Sequence, residues 1–570
     1  MVSLTNDDKI AILEVSPEVT LDTEGMEHMM GFSFAVDGFT QGFYLPFRHH
    51  QGNLSTSQVD KVRHLIATRE RLIMHNAMHD LKVLEREGLP FNGFFWDTML
   101  MAHWVNEEEF SYDLSNISTR YGNPPKNMPQ HMKDLLEMDG WENVPVAWMD
   151  EYSSNDSYIT HRTERKIEPI FLEQFPIELW EREQEFIRTV IMPMKARGIR
   201  IDIEFCIMEY MRGTGIMAEC RKDLGFNPGS RNQLEKFLID ELGLPVLART
   251  PAGKPSFNKD VMAEYDMMLE KRDDPRAQTV LRYRGWQKTT SSNYKPYMEL
   301  IDSEGILHPG YNLHRTKTSR LSCSEPNLQQ IPKASEKEWN GQLKKAFIPR
   351  EGFQLWTVDY SQLQFRMTVA MAGEESLLEV FNNKARDIFR EMAKQMGWLR
   401  DDVKTLVYLI LFGGGGKRAG IAFSVPTEQG TELVKEFHSL YPSIKKLSKR
   451  AENAARRQGY VAFWTGRRRH FPKGSAYYRA LNAVIQGGEA EIIKSAMIAI
   501  AKEICDENCH LILQIHDELA FEIREGMEDA YLPRIQQKMV EACDGFNRHN
   551  VASGGFAVEF KTDVKRWGEK

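Results

Sequence analysis

At 570 residues, with 42% hydrophobic and 27% charged side chains, the chain has the composition of a globular protein and is too long for one hydrophobic core, so about three or four domains are expected. No apolar run approaches the ~18 residues of a membrane span, and the first residues lack a signal-peptide progression. The six cysteines are scattered without a C-x-x-C pair, which argues for reduced, structural thiols and a cytoplasmic setting. The net charge of −8 argues against a nucleic-acid partner only when taken whole. From Ser443 to Arg479 there are eleven Lys/Arg against the single acid Glu452, interleaved with Tyr460, Phe463, Trp464, Phe471, Tyr477 and Tyr478. A local basic field with stackable rings suits a phosphate backbone and unpaired bases.

Residues 1 to about 185 read as an α/β unit. Val19-Thr20-Leu21 leads into Asp22-Thr23-Glu24, Gly31 to Val36 alternates as a strand, and Gly42 to Pro46 reads as the next. Helical patterns follow around 57–70, 77–88 and 151–190. On a strand Asp22 and Glu24 point to one face. Asp80 opens a helix after Asn76-Ala77-Met78-His79, and Tyr152 and Asp156 are i, i+4 neighbours.

Residues 190 to 310 are mostly helical, punctuated at Asn227-Pro228-Gly229-Ser230 and at Thr250 to Pro255. Beyond 310, strands carrying two further acids flank a helical insertion of about 374–480. Asp359 closes the apolar run Phe353 to Val358. Asp517 sits at the tip of a hairpin formed by Leu511 to Ile515 and Glu518 to Ile523, beside His516. Two carboxylates at the edge of a core repel each other and lose hydration unless a cation lies between them. A pair of Mg²⁺ ions is the usual solution, and it is also the usual machinery of phosphoryl transfer.

Inside the insertion, Arg400, Lys404, Tyr408 and Phe412 recur every four residues, forming a stripe about 18 Å long at 1.5 Å rise per residue. Cations at one end suit a triphosphate and rings at the other suit a sugar and base. The competing reading, an amphipathic helix with this stripe in the core, fits Tyr408 and Phe412 but not Arg400 and Lys404. Gly413 to Gly416 ends the helix with more glycine than a cap requires.

Asp22, Glu24, Asp80 and Asp156, with Tyr152 at its offset and with Trp96-Asp97-Thr98-Met99 and Tyr112-Asp113-Leu114 between them, resemble the DEDD exonucleases of the Y subtype. The resemblance implies an RNase H-like fold, two divalent ions held by the four acids, and a water oriented by Tyr152.

From about Ile187 onward a second set of motifs runs in order: Thr316-Lys317-Thr318-Ser319-Arg320-Leu321-Ser322, Pro326-Asn327-Leu328-Gln329-Gln330-Ile331-Pro332, Asp359-Tyr360-Ser361-Gln362, Gly466-Arg467-Arg468-Arg469, Asn482-Ala483-Val484-Ile485-Gln486-Gly487 and His516-Asp517-Glu518. This half resembles the family A DNA polymerases, the bacterial polymerase I group. The implied fold class is multidomain α/β and α+β. An RNase H-like exonuclease domain (1–185) precedes a right-hand polymerase domain (186–570), with thumb about 200–310, palm about 311–373 and 483–570, and fingers about 374–482.

The resemblance implies extension of a primer 3′-hydroxyl with dNTPs, by two-metal phosphoryl transfer, with 3′→5′ proofreading. Asp359, Asp517 and the main-chain carbonyl of Tyr360 would hold two Mg²⁺ (or Mn²⁺), with Glu518 accessory. Lys404 would act on the triphosphate, and Gln362, Gln364, Arg400, Tyr408 and Phe412 would complete the nucleotide pocket. Arg320, Asn327, Gln329, Asn482, Gln486 and His516 would contact primer, template or nascent pair, and Lys288, with Ser291 and Ser292, duplex phosphates. A monomer acting on primer–template DNA is expected.

Several positions depart from the family pattern. Gln364 stands where a Glu usually blocks the ribose 2′-hydroxyl, Phe412 replaces Tyr, Val407 and Leu409 replace Asn and Gly, and Asp401 replaces Arg. Phe389 stands where a triphosphate-binding His is common, leaving Arg386 or Arg390 to compensate. Tyr408 implies ready acceptance of dideoxynucleotides. The atypical pocket and the lack of a preceding 5′-nuclease domain lead us to expect a bacteriophage replicative enzyme in the host cytoplasm, with tolerance of modified bases such as 2-aminoadenine. A single-subunit RNA polymerase is opposed by the exonuclease set and by the bulk of Gln364. A non-catalytic DNA-binding relative would have lost metal carboxylates, and none is missing.

Overall fold

The computed structural model describes residues 4–25, 28–126, 128–139, 141–270, 272–331, 339, 343–383 and 386–567. Pro332, at the end of one polymerase motif, and the first three residues lie outside them. The chain divides into two compact units: Met1–Met192 with Leu313–Ser319 and Thr465–His470, and the remainder. Among the described residues no helix is long and apolar enough to cross a membrane.

The first unit is built on five strands, β1 (Val19–Glu24), β2 (Gly31–Ala35), β3 (Phe43–Pro46), β4 (Arg71–Met74) and β5 (Phe94–Asp97), in the order β3-β2-β1-β4-β5. β1 and β2 pair antiparallel, as do β2 and β3, while β4 runs parallel to both β1 and β5. Every residue of β2 and β3 is buried, so both faces of the sheet are covered. The connecting helices include α1 (Ala77–Arg86), α2 (Thr98–Val105) and α3 (Leu114–Arg120), followed by the long α4 (Val146–Gln174). Trp96 of β5, Trp104 of α2, Phe171 of α4 and Trp180 form a ring cluster with centroids 5.5–5.7 Å apart. This pins α4 against the sheet. The helix expected over 151–190 breaks at Phe175 because Pro176 lacks the N–H a continuing helix needs.

Part of the basic run is used inside this unit rather than along a phosphate backbone. Arg467 is 3% exposed, with its guanidinium 3.9 Å from the Trp104 ring and 3.6 Å from Glu183 Oε1. Arg469 Nη1 and His470 Nδ1 meet the two oxygens of buried Glu107 at 2.7 and 2.8 Å. Buried acids require such partners, and the acids lie more than 280 residues away in sequence.

The second unit contains β6 (Phe353–Tyr360), α5 (Leu363–Ala372), α6 (Arg400–Leu411), α7 (Ala480–Glu503), β7 (Cys509–Ile515), β8 (Glu518–Arg524) and β9 (Thr562–Arg566). The strands form an antiparallel sheet in the order β7-β8-β6-β9. The hairpin read from the sequence forms as β7 and β8, with His516-Asp517 as its two-residue turn. β6 runs past its expected end at Val358 to Tyr360, whose buried hydroxyl donates to the Met539 carbonyl at 2.6 Å. α7 buries residues around most of its circumference, as a helix inside a core must.

Candidate active sites

In the first unit, Asp22 and Glu24 lie at the end of β1 and Asp156 on α4, and one ligand oxygen from each falls within 4.8 Å of the others. Asp80, on the first turn of α1, is tied to the same strand. Its Oδ1 accepts from the Thr23 amide (3.0 Å) and hydroxyl (2.7 Å). Asp97 sets the start of α1, its carboxylate accepting from the Asn76 and Ala77 amides at 3.1 and 2.9 Å while capping α2 through Met99 N. Sequence reasoning quoted Asp97 within a motif and gave it no role.

Burial pushes Asp22 up to about 7, with Lys126 opposing and Asp156 adding to the shift. Burial and the charge of Asp22 push both Glu24 and Asp80 well above the carboxylate range. Glu24 Oε1 and Asp80 Oδ2 are buried without a hydrogen-bond partner. Orphaned oxygens on acids this crowded are what a hard divalent cation satisfies. Tyr152 is buried one turn from Asp156. Lys126, absent from the sequence expectations, ion-pairs with Asp156.

In the second unit, Asp359 sits directly opposite Glu518 of β8 on one side and Asp563 of β9 on the other. Directly opposed residues of antiparallel strands share a face, so three acids form one row across the sheet. The Tyr360 amide donates to the Asp517 carbonyl at 3.2 Å, which draws the hairpin tip to the end of β6. Glu518 Oε1 is held by Lys344 at 3.3 Å. His516 and Gln362, the residues flanking this junction, both adopt φ 58°. A left-handed backbone costs a residue other than glycine about 1–2 kcal/mol, and such strain concentrates at functional sites. Gln329 Nε2 donates to Gln514 Oε1 at 2.8 Å, and Gln514 in turn donates to the His516 carbonyl. Gln329 thus acts through the hairpin that carries Asp517.

The stripe on α6 is not core. The buried face of that helix is Val403, Leu406, Val407 and Leu411, and the stripe runs along its edge, with Lys404 and Phe412 exposed and Arg400 and Tyr408 half-buried. Burial, then the charges of Asp517, Glu489 and Asp359, push the Tyr408 hydroxyl up to about 12, so this member of the stripe lies within the field of the acids. Arg400 is paired with Asp387 through Nη2 at 2.9 Å, and Phe412 caps the helix. Phe389 is buried between Phe365 (5.8 Å, stacked) and Tyr408 (6.2 Å), so at this position the chain has a core aromatic.

Asn482 and Gln486 recur on α7 at helical spacing with Glu489, a residue sequence reasoning passed over. Glu489 is fully buried. It accepts from Gln364 Nε2 at 3.1 and 3.2 Å and is paired with Arg320, linking two residues expected in the nucleotide and primer sites. The side-chain oxygens of Gln362, Gln364 and Asn482 are buried without partners, a set of acceptors awaiting donors. Asn327 Oδ1 caps Gln329 N at 3.1 Å. Lys288 stands exposed on the helix Pro275–Thr289.

Residues 214–565 match the family model for DNA polymerase family A, more than half of the chain. The chain belongs to DNA polymerase family A. Residues 5–171 match a second model, 3′-5′ exonuclease, so an exonuclease domain precedes the family A domain. Similar proteins include DNA polymerase I of Synechocystis sp. (27% identical, covering 88% of this chain and 54% of the relative), thermostable DNA polymerase I of Thermus aquaticus (29%, 75% and 55%) and DNA polymerase I of Pseudomonas aeruginosa (26%, 93% and 62%). The chain thus spans 54–62% of the length of these relatives. Among solved structures, the POL domain of Pol1 from M. smegmatis in complex with DNA primer-template and dNTP matches 98% of this chain and 97% of its own with a TM-score of 0.81. At 21% identity that likeness shows a shared fold.

Proposed function

We propose that this family A chain is a template-directed DNA polymerase that extends a primer 3′-hydroxyl with dNTPs and removes misincorporated ends through its 3′→5′ exonuclease domain. The observation that carries the reading is the meeting of the acid row at Asp359 with the Asp517 hairpin, with Tyr408 of the α6 stripe within the field of these acids. Charge-seeking oxygens lie at one end of that stripe and phosphate-seeking cations at the other. In this reading Asp359, Asp517 and the Tyr360 carbonyl hold divalent cations, with Mg²⁺ the proposed ion. When bound, these would activate the primer hydroxyl and stabilise the departing pyrophosphate. Lys404 and Arg400 bind the triphosphate, Arg400 exchanging Asp387 for it, while Tyr408 and Phe412 pack on sugar and base. Arg320, Gln486 and Asn482 contact the primer, template and new pair. Thumb, palm and fingers then lie in the second unit, apart from Leu313–Ser319 of the palm range and Thr465–His470 of the fingers range, which belong to the first. Primer extension with dNTPs but not rNTPs on a defined template tests the reading; extension with rNTPs alone would favour an RNA polymerase.

Glu489 supplies the negative charge that Gln364 no longer carries, and it orients both Gln364 and Arg320. Glu489→Ala is expected to lower single-turnover incorporation about 10–100-fold and to leave digestion of single strands unchanged. An unchanged incorporation rate would reduce Glu489 to a packing role. The altered gate and the core aromatic at Phe389 support a bacteriophage replicative enzyme accepting modified bases. Comparable incorporation of dATP and its 2-amino analogue opposite template T is expected; strong rejection of the analogue would remove that part of the reading.

A further inference from the structure

Lys126 belongs to neither set of motifs, yet its Nζ lies 2.6 Å from Asp156 Oδ2 and 5.1 Å from the centre of the Tyr152 ring. The chain leading into it is fastened to the helices on either hand, α3 and α4. Pro124 and Pro125 stiffen the approach. Ser118 Oγ donates to the Pro124 carbonyl (2.8 Å), Asn123 N donates to the Ser118 carbonyl (2.8 Å), and Asn123 Nδ2 reaches Thr163 Oγ1 of α4 (3.0 Å). The ammonium is held toward the acids, and its charge acts on Asp22, Glu24 and Asp156 together.

The charge balance of the site gives this position a use. With all four carboxylates ionised by bound metal they would carry −4, and two divalent cations would cancel them. A phosphodiester entering for cleavage then brings −1, which grows on its non-bridging oxygens in the transition state. One fixed ammonium supplies the missing charge, in a water-poor site where such donors act most strongly.

We propose that Lys126 is a further catalytic residue of the 3′→5′ exonuclease reaction, its ammonium turning from Asp156 to a non-bridging oxygen of the scissile phosphate when a single-stranded 3′ end enters. The proposal rests on the exonuclease reading of this domain. One water is consumed. Its oxygen bonds to phosphorus, the P–O3′ bond breaks, and O3′ keeps the bonding pair and takes a proton from the water. Lys126 keeps its own protons and donates hydrogen bonds throughout. A plain ion pair with Asp156, or a plug that metal must expel, makes different predictions.

The test compares wild type, Lys126→Met and Lys126→Arg in the full chain. Single-turnover digestion of a single-stranded oligonucleotide at saturating Mg²⁺ should fall about 10²–10³-fold in Lys126→Met and recover at least tenfold of that loss in Lys126→Arg. In chelator, the oligonucleotide should bind Lys126→Met several-fold more weakly by fluorescence anisotropy. Mn²⁺ binding to the DNA-free protein, read by electron paramagnetic resonance, should be as tight as wild type or tighter, because a competing charge has gone. Primer extension serves as the folding control. Wild-type digestion by Lys126→Met at saturating Mg²⁺ would overturn the proposal, as would a loss that extra metal restores or weakened Mn²⁺ binding. If the wild type fails to digest and matches Asp22→Ala, the exonuclease reading itself falls, and this proposal with it.

Discussion

Asp359→Ala is expected to reduce primer extension by at least about 10³-fold while leaving digestion of a single strand within twofold of wild type. Asp359 is the middle member of the row Asp563–Asp359–Glu518, and the amide of the next residue holds the Asp517 hairpin. Removing its carboxylate takes away the group shared by the proposed cations and leaves the strand pairing untouched, since backbone bonds set the register. The fold should therefore survive, and relief of repulsion between opposed acids favours it. Asp359→Asn keeps the shape and loses the charge, so an equal loss in Asn and Ala assigns the effect to charge. Glu518→Gln should cost far less, because that carboxylate is held by Lys344. Equal losses at Glu518 and Asp359 would contradict this division of roles.

Asp22→Ala should do the reverse, lowering digestion by about 10³-fold with extension unchanged. It carries a second, pH-dependent signature. Burial raises Asp22 from its ordinary value to about 7. A group whose acidity is weakened by folding contributes stability in its protonated form, fully below its unfolded pKa, and loses it as pH rises through the folded value. In chelator at pH 8 the wild type therefore holds a buried charge at a cost, and Asp22→Ala should melt higher. The difference should shrink as pH falls from about 7 toward 4. With a divalent cation present the order should invert, since only the wild type keeps the full ligand set. Identical melting of the two proteins at pH 8 in chelator would contradict the burial of a charged cluster. Differential scanning fluorimetry at several pH values reads both effects.

How much of this was legible in the sequence depended on whether a signal was local. The α6 stripe could be read because four chemically apt residues recur at the helix period, and the structure centres the buried face on the neighbouring residues Val403, Leu406, Val407 and Leu411. The β7–β8 hairpin could be read from two apolar runs around a two-residue turn. Glu489 could not, because an acid inside an apolar helix reads as a solvated position until its partners Arg320 and Gln364, 169 and 125 residues away, are seen beside it. Lys126 is a single lysine in a loop, and only tertiary structure brings it to Asp156. The basic run was legible only in part, for the same reason. Its density is real, but Arg467 and Arg469 neutralise Glu183 and Glu107 of the first unit. Composition counts charges and cannot tell which are already paired.

The most direct test follows one labelled primer–template with Mg²⁺ and all four dNTPs on Asp359→Ala and on Asp22→Ala. The first protein should only shorten the primer and the second should only lengthen it. Lengthening by Asp359→Ala, or shortening by Asp22→Ala at the wild-type rate, would contradict the assignment of synthesis and digestion to these two acidic sites.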